Sequence, residues 1–342
     1  MSPEVSRRNA ALRLAFAVTA GLLIETARGA VLPVLAPVIA LQLLAAVPGP
    51  PGPRMIALMV LVSAGAAALA YAVAVLTVDE PLLYAIGVGL LYLWGHALTF
   101  RPGTTAAGVM VVIMTIVVTG VATASTVAAL GLMLSLVQSV ALGFAVVLLA
   151  HAALPSAPPA EGTGPAPEGS VARLPPGLRA LAATLVILPA HLVLFAGDLG
   201  PMLVLMTIAT MLRQPGIAAS VRYAVSFAAG NLLGTLTAAL AMLAVAVQGS
   251  AGMMVAATAA AALALAALSA RGAMWRAVTV PGMVAFTVIF GMVYSPYLAT
   301  TEVPLLGRAA MVVAGALYAA GAVSVLAPLL PRLAALARPA AP

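Results

Sequence analysis

Two ionisable side chains near the end of the first apolar segment have the spacing of a pair. Glu25 and Arg28 are three residues apart, which places them on one face of a helix and within reach of each other. Ionisable groups in membrane segments are costly and mark functional sites by default. The pair is a candidate outer gate or proton-coupled site. The alternative is a structural pair at the membrane interface, with Arg28 extended toward the lipid head groups.

The three histidines are the side chains that titrate near neutral pH. His191 lies well inside an apolar segment and is a second proton-coupling candidate, or else a neutral side chain hydrogen-bonded to a neighbouring helix. His96 and His151 lie near the ends of apolar segments, and we expect them at the membrane interface. Scattered histidines, few carboxylates and no cysteine offer no ligand set, so we expect no metal site.

Four further polar residues are candidates for a substrate path. Arg54 and Arg222 stand at the heads of apolar segments, where a guanidinium can bind a carboxylate through two parallel hydrogen bonds. Anchoring of the cytoplasmic face by arginine explains both of them equally well. Gln42 follows two prolines and Asn231 stands beside glycines, so each can line a broken helix or join two helices. No phosphate-binding glycine loop or activated nucleophile is present, so we expect neither an enzyme nor a cofactor.

The elements that position these residues follow from composition. The 342 residues are 64% hydrophobic and 7% charged, whereas soluble domains carry about 25% charged residues. This predicts an all-α integral membrane protein, in which about 20 apolar residues are needed to cross the hydrocarbon. Proline, glycine and charge clusters divide the chain into twelve such segments: 11–27, 30–47, 55–76, 82–98, 105–121, 127–151, 178–195, 200–212, 219–247, 252–270, 277–294 and 305–330.

The arginines predict the orientation of these segments. The chain has no lysine, and with the amino terminus inside, every arginine except Arg28 and Arg308 lies on the cytoplasmic side. Positive charge in short loops marks that side, so we expect both termini in the cytoplasm. The same bias explains the net charge of +7 without a nucleic-acid partner.

The two halves of the chain resemble each other. Arg13 opens the first half as Arg179 opens the second, His191 stands where Glu25 stands, and LTFRPGTTAAGV lies opposite LSARGAMWRAV. Because each half holds an even number of segments, this predicts two parallel six-helix repeats, 1–154 and 178–342, joined by a Pro/Gly-rich cytoplasmic linker at 155–177. The alternative is that two alanine-rich segments look alike through composition alone.

The stretch RLAFAVTAGLLIETARGAVLPVLAPVIALQLLAAVPGPPGPR resembles the opening of fusaric-acid-resistance-type transporters, and the second half repeats its pattern. That family includes exporters of aromatic acids and toxic compounds in bacterial inner membranes. The plant aluminium-activated malate transporters are similar in their membrane part. The larger exporters carry a soluble domain where this chain has only the 155–177 linker, so the chain is closer to a compact branch whose relatives often accompany periplasmic adaptor proteins.

Residues and resemblance together predict a multi-pass inner-membrane transporter that exports small aromatic or amphipathic organic acids or toxic compounds. The expected partners are the lipid bilayer, a small organic anion, a periplasmic adaptor protein and a second copy of the chain. A passive organic-anion channel and a non-transporting scaffold for the adaptor are the alternatives. The expected proton-coupling residues are Glu25 and His191, and those of the substrate path are Arg28, Arg54, Arg222, Gln42 and Asn231.

Overall fold

The computed structural model describes residues 3–46, 49–155, 175–194, 202–213, 217–293 and 305–326. Over these ranges all of the regular secondary structure is helical, in twelve helices. The first six are α1 Pro3–Ala27, α2 Leu35–Ala46, α3 Pro53–Thr77, α4 Pro81–Thr99, α5 Thr105–Ala124 and α6 Thr126–Ala153. The second six are α7 Pro176–Leu194, α8 Met202–Leu212, α9 Ile217–Gln248, α10 Ala251–Ser269, α11 Ala273–Val293 and α12 Leu305–Leu326.

Most of these helices can cross a bilayer. Within the described ranges, nine helices are long and apolar enough to do so. Of the other three, α2 has 12 residues and α8 has 11. At 1.5 Å per residue these two span less than about 20 Å, short of the roughly 30 Å hydrocarbon. The prediction of a multi-pass helical membrane protein is confirmed, and most of the predicted 155–177 linker lies outside the described residues.

The end of α1 is set by a glycine. Gly29 has a φ of +65°, a left-handed conformation that glycine adopts without a steric penalty. The amide of Ala30 donates to the carbonyl of Glu25 at 3.0 Å, and that of Gly29 to Thr26 at 3.1 Å. These two bonds form a Schellman cap. The helix therefore stops at Ala27, with Arg28 as the capping residue immediately after it.

The next helix begins later than predicted. The sequence pattern predicted helix from residue 30, but α2 starts at Leu35 and residues 31–34 form a bend and turn. Leu35 donates its amide to Leu32 at 3.2 Å, which closes the turn. The glycine cap reverses the chain, and Pro33 supplies no amide to continue a helix through this stretch.

A segment inside α5 is wound more widely than its flanks. Residues Thr115–Thr119 form a π-helical turn, and all five are buried. The hydroxyl of Thr115 donates to the carbonyl of Val111 at 2.8 Å, and that of Thr119 to Thr115 at 2.5 Å. Such side-chain bonds to the preceding turn compete with the backbone bonds there and often bend a helix. π-Turns occur frequently at functional sites.

The helices form two compact units. Unit 1 contains α1, α2, the part of α6 from Ser135, the part of α9 from Ser226, α10 and α11. In it α1 packs against α2 and α10, and α11 packs against α10 and α2. Small residues permit these close approaches: a Cβ placed on Gly21 would lie 2.7 Å from that of Pro37. Apolar helices gain contact in this way because no hydrophobic drive acts between them in lipid.

Unit 2 contains most of α3, then α4, α5, the start of α6, α7, α8, the start of α9 and α12. Here α4 packs against both α5 and α7, while α8 contacts α7 and the π-turn of α5. Gly95 lies against Val112 and Gly89 against Leu188, so glycines of α4 meet both neighbours. The hydroxyl of Tyr318 on α12 donates to the carbonyl of Val186 on α7 at 2.9 Å.

Candidate functional site

A buried ion pair forms where α1 ends in unit 1. The side chain of Glu25 is completely buried, and that of Arg28 is 28% exposed. Arg28 Nε donates to Glu25 Oε2 at 2.6 Å, and Nη2 lies 2.6 Å from the same oxygen. The glycine cap carries Arg28 past the last helical turn and lets the guanidinium fold back onto Glu25. The predicted pairing of these two residues is present.

Helix α6 completes this cluster. Arg28 Nη1 donates to Gln138 Oε1 at 2.7 Å, and Nη2 donates to Ser139 Oγ at 2.8 Å. All three guanidinium nitrogens are thus engaged, and the arginine joins α1 to α6. Gln138 is exposed, whereas Ser139 is buried. We call Glu25, Arg28, Gln138 and Ser139 the Glu25 cluster.

The second carboxylate oxygen of Glu25, Oε1, differs from the other polar atoms of the Glu25 cluster. Glu25 Oε1 is buried, and among the described residues it has no hydrogen-bond partner. A buried polar atom without a partner is costly, so such atoms often belong to binding or proton-transfer sites. The arrangement can accept a proton on Oε1 while Oε2 remains within reach of the guanidinium.

His191 is the corresponding polar centre of unit 2. It is fully buried and lies on α7, two residues after Pro189, which interrupts the helix interior. The hydroxyl of Tyr92 lies 2.7 Å from His191 Nδ1, and that of Tyr84 lies 3.1 Å from Nε2. A neutral imidazole donates through one nitrogen and accepts through the other. One tyrosine therefore accepts from the ring while the other donates to it.

The π-turn of α5 closes the other side of this site. Thr119 Oγ1 lies 3.4 Å from His191 Nε2, and the hydroxyl of Tyr84 donates to the carbonyl of Thr119 at 3.2 Å. The wider winding therefore presents both a hydroxyl and a carbonyl to the Tyr84–His191 pair. Neither Tyr84 nor Tyr92 was singled out from the sequence, although they lie eight residues apart on one face of α4.

The other two histidines are also buried. His96 stacks between Tyr92 and Phe100, with ring centroids 6.3 Å and 6.1 Å away. His151 Nδ1 lies 2.9 Å from Arg13 Nη1, so it joins the end of α6 to α1. Both pack against neighbouring side chains within the fold, and their expected depth at the membrane interface stays a prediction.

The remaining predicted path residues lie apart from these clusters. Arg54 and Arg222 are exposed, in the first turn of α3 and in α9. Asn231 donates its side-chain amide to the carbonyl of Phe227 on its own helix at 2.8 Å. Gln42 is half-buried on α2. Their assignment to a substrate path stays a prediction.

Metal binding finds no support in the described part of the chain. No group of three His, Cys, Asp or Glu side chains comes together there. The polar centres instead offer one carboxylate held by a guanidinium in unit 1 and one imidazole held by two phenols in unit 2.

Comparison with known proteins adds no further assignment. No family model, curated protein or solved structure matches the chain. The similarity to fusaric-acid-resistance-type transporters therefore stays a prediction. On the evidence of its helices, the chain is a multi-pass helical membrane protein.

Proposed function

We propose that the chain is a secondary transporter of small aromatic or amphipathic organic acids in a bacterial inner membrane, with Glu25 or His191 as its proton-coupling group. The observation that carries the proposal is the complete burial of both side chains. Each is the polar centre of one unit, and each lies on the first helix of a predicted half. Groups of this kind inside membrane helices mark ion and substrate pathways.

The Glu25 cluster links a proton to an anion. Oε2 of Glu25 engages Arg28, while Oε1 has no partner among the described residues. A proton taken up on Oε1 neutralises the carboxylate and weakens its hold on Arg28. The guanidinium, which is 28% exposed, then has donors for the carboxylate of a substrate, the group that it recognises best. Loss of the proton restores the original pair.

Two parallel six-helix repeats, part of the same proposal, account for the equivalent positions of Glu25 and His191 in the two halves of the chain. In unit 1, α1 packs against α2 and α10; in unit 2, α7 packs against α8 and α4. Each helix of the first set therefore has a counterpart six helices away in the second set: α7 for α1, α8 for α2 and α4 for α10. The same shift relates the α10–α11 contact to the α4–α5 contact. The repeats would therefore exchange helices, because each unit takes some from both halves.

Transport by reconstituted protein tests this function. Protein in liposomes should accumulate a labelled aromatic carboxylate only when a pH gradient is imposed, and the sign of the effective gradient gives the direction of coupling. Glu25→Gln and His191→Ala should abolish the accumulation at unchanged protein levels. Asp79→Asn, an exposed acidic residue after α3, is the matched control and should transport normally.

Other outcomes select the alternatives. Normal accumulation by both variants would remove the coupling assignment. Downhill flux without any need for a pH gradient would identify a passive anion channel, a reading favoured by the partial exposure of Arg28. If a purified periplasmic adaptor binds the protein and no acid moves with or without it, the chain is a scaffold.

A further inference from the structure

A row of aromatic and polar side chains winds along α4 and ends just after it. Tyr84, Tyr92, His96 and Phe100 are separated by multiples of four residues, so successive members lie near each other, while the row turns by about 160° around the helix from first to last. From Tyr84 to Phe100 the row extends about 24 Å at 1.5 Å per residue. Tyr84, Tyr92 and His96 are all buried. The row therefore covers most of the thickness of the hydrocarbon.

Helix α7 adds the groups that complete this row. His191 lies between the hydroxyls of Tyr84 and Tyr92. Near the other end of α7, the guanidinium of Arg179 lies 4.2 Å from the ring centroid of Phe100. We call the complete row the α4–α7 ladder: Tyr84, His191, Tyr92, His96, Phe100 and Arg179.

The first three members of the ladder form a continuous hydrogen-bonded chain. Both nitrogens of His191 face a phenol, at 3.1 Å for Tyr84 and 2.7 Å for Tyr92. Phenol and imidazole each donate and accept. A proton can therefore reach one ring nitrogen while another leaves from the opposite nitrogen, without movement of the backbone.

His96 is the member that a packing role does not explain. Both of its ring nitrogens are buried, and neither has a hydrogen-bond partner among the described residues. Its ring stacks on Tyr92, with 6.3 Å between centroids, and no hydrogen bond joins the two side chains. A leucine would fill such an apolar position without leaving two polar atoms unsatisfied. Buried waters in proteins typically bond to such otherwise unsatisfied polar atoms.

We propose that Tyr84, His191, Tyr92 and His96 form a proton relay through unit 2, with water joining Tyr92 to His96. The guanidinium of Arg179, stacked on Phe100, lies beyond the last carrier. The relay rests on the proposed function in so far as His191 is the coupling group. It adds the route by which protons reach and leave that group.

Each transfer conserves protons. The hydroxyl of Tyr84 turns from the Thr119 carbonyl to His191 Nε2, gives its proton there and takes another from water at the start of α4. The N–H bond at Nδ1 breaks as that proton passes to Tyr92, whose own hydroxyl proton moves through water to His96. His96 takes that proton on one ring nitrogen and releases the proton of its other nitrogen to water. Every carrier thus gains one O–H or N–H bond as it loses another, so no oxidant or reductant takes part. Nε2 now carries the proton, so the ring and the hydroxyls must turn back to the starting tautomer before a second proton follows in the same direction.

Histidine-selective ¹⁵N labelling tests the relay, because the chain has only three histidines. The rate at which the His191 ring N–H exchanges with water is measured in lipid nanodiscs, without any organic acid. Tyr84→Phe removes the phenol at Nε2, so that more of the exchange has to pass through Tyr92 and His96. Adding His96→Phe, which keeps an aromatic ring beside Tyr92, should slow the exchange about tenfold, as expected for the loss of one hydrogen-bonded step.

The control is Tyr84→Phe combined with Tyr71→Phe, which removes a hydroxyl on α3 outside the ladder and should leave the rate unchanged. Equal exchange rates in the two double variants would overturn the relay. If His96→Phe does not fold, Tyr92→Phe takes its place, since it removes only the hydroxyl. Failed acid transport with the predicted loss of exchange would reject the proposed function and keep the relay, while intact transport with unchanged exchange would reject the relay alone.

Discussion

Replacing Arg28 by glutamine perturbs the Glu25 cluster at its centre. The substitution removes the cation that engages the buried Glu25 carboxylate and the donors that reach Gln138 and Ser139. Glutamine keeps a polar side chain, shorter than arginine by two atoms and uncharged, so the effect comes from the lost charge and the lost hydrogen bonds. Glu25 is then left as a buried carboxylate without its partner.

The size of the effect follows from which atoms water can reach. Leaving one member of a buried ion pair unpaired costs about 3–5 kcal/mol. Gln138 is exposed and can replace its lost bond with water, so it adds little. The buried Ser139 hydroxyl loses one bond, worth about 1 kcal/mol. Because Arg28 itself is 28% exposed, water screens part of the pair, and we expect a total near the lower limit, about 3 kcal/mol.

A double-mutant cycle isolates the pair from its surroundings. The free energy of unfolding is measured by titration with SDS in mixed micelles and followed by the fluorescence of the two tryptophans. Arg28→Gln should cost about 3 kcal/mol, and adding Glu25→Gln should recover about 2 kcal/mol of it, because no buried charge remains unpaired. Arg101→Gln, at an exposed arginine, should change stability by less than about 0.5 kcal/mol. A coupling energy within about 0.5 kcal/mol of zero would refute the pairing.

Three further predictions concern packing, the cytoplasmic ends and the orientation. Gly234→Ala should lower the free energy of unfolding by about 1–3 kcal/mol, since the added Cβ would lie 2.8 Å from that of Ala285. The control is Gly131→Ala, whose added Cβ has nothing within 4 Å. Thermal unfolding measures both variants, and equal melting temperatures would contradict the close crossing of α9 and α11. Arg13→Gln should speed hydrogen exchange of the backbone amides at the end of α6, because the bonds of Arg13 to His151 and Leu154 are lost. Unchanged exchange there would show that these bonds do not stabilise the end of the helix. Since the chain has no cysteine, a single introduced cysteine can be labelled from one side of the membrane with an impermeant maleimide. Arg54→Cys should react only from the cytoplasmic side and Glu80→Cys only from the opposite side. Labelling of both variants from the same side would contradict the predicted orientation.

The helices themselves were predictable from composition. In a chain that is 64% hydrophobic, prolines, glycines and charges are the only interruptions, so they mark where helices begin and end. The sixth segment was predicted at 127–151 and is observed at Thr126–Ala153. The start of α2 was missed, although Gly29 directly after Arg28 is a local signal for a helix cap. The π-turn at Thr115–Thr119 has no comparable mark among its neighbouring β-branched residues.

The sequence by itself determined the membrane class and the Glu25–Arg28 pair, because residues three apart on a helix are neighbours whatever surrounds them. Only the tertiary structure decided that Ser139 joins this pair and that Tyr84 and Tyr92 enclose His191. In soluble proteins an apolar stripe shows which helix face is buried. Here nearly every face is apolar, so periodicity cannot say which helices meet, and close packing of small residues together with the need of buried polar groups for partners makes that selection.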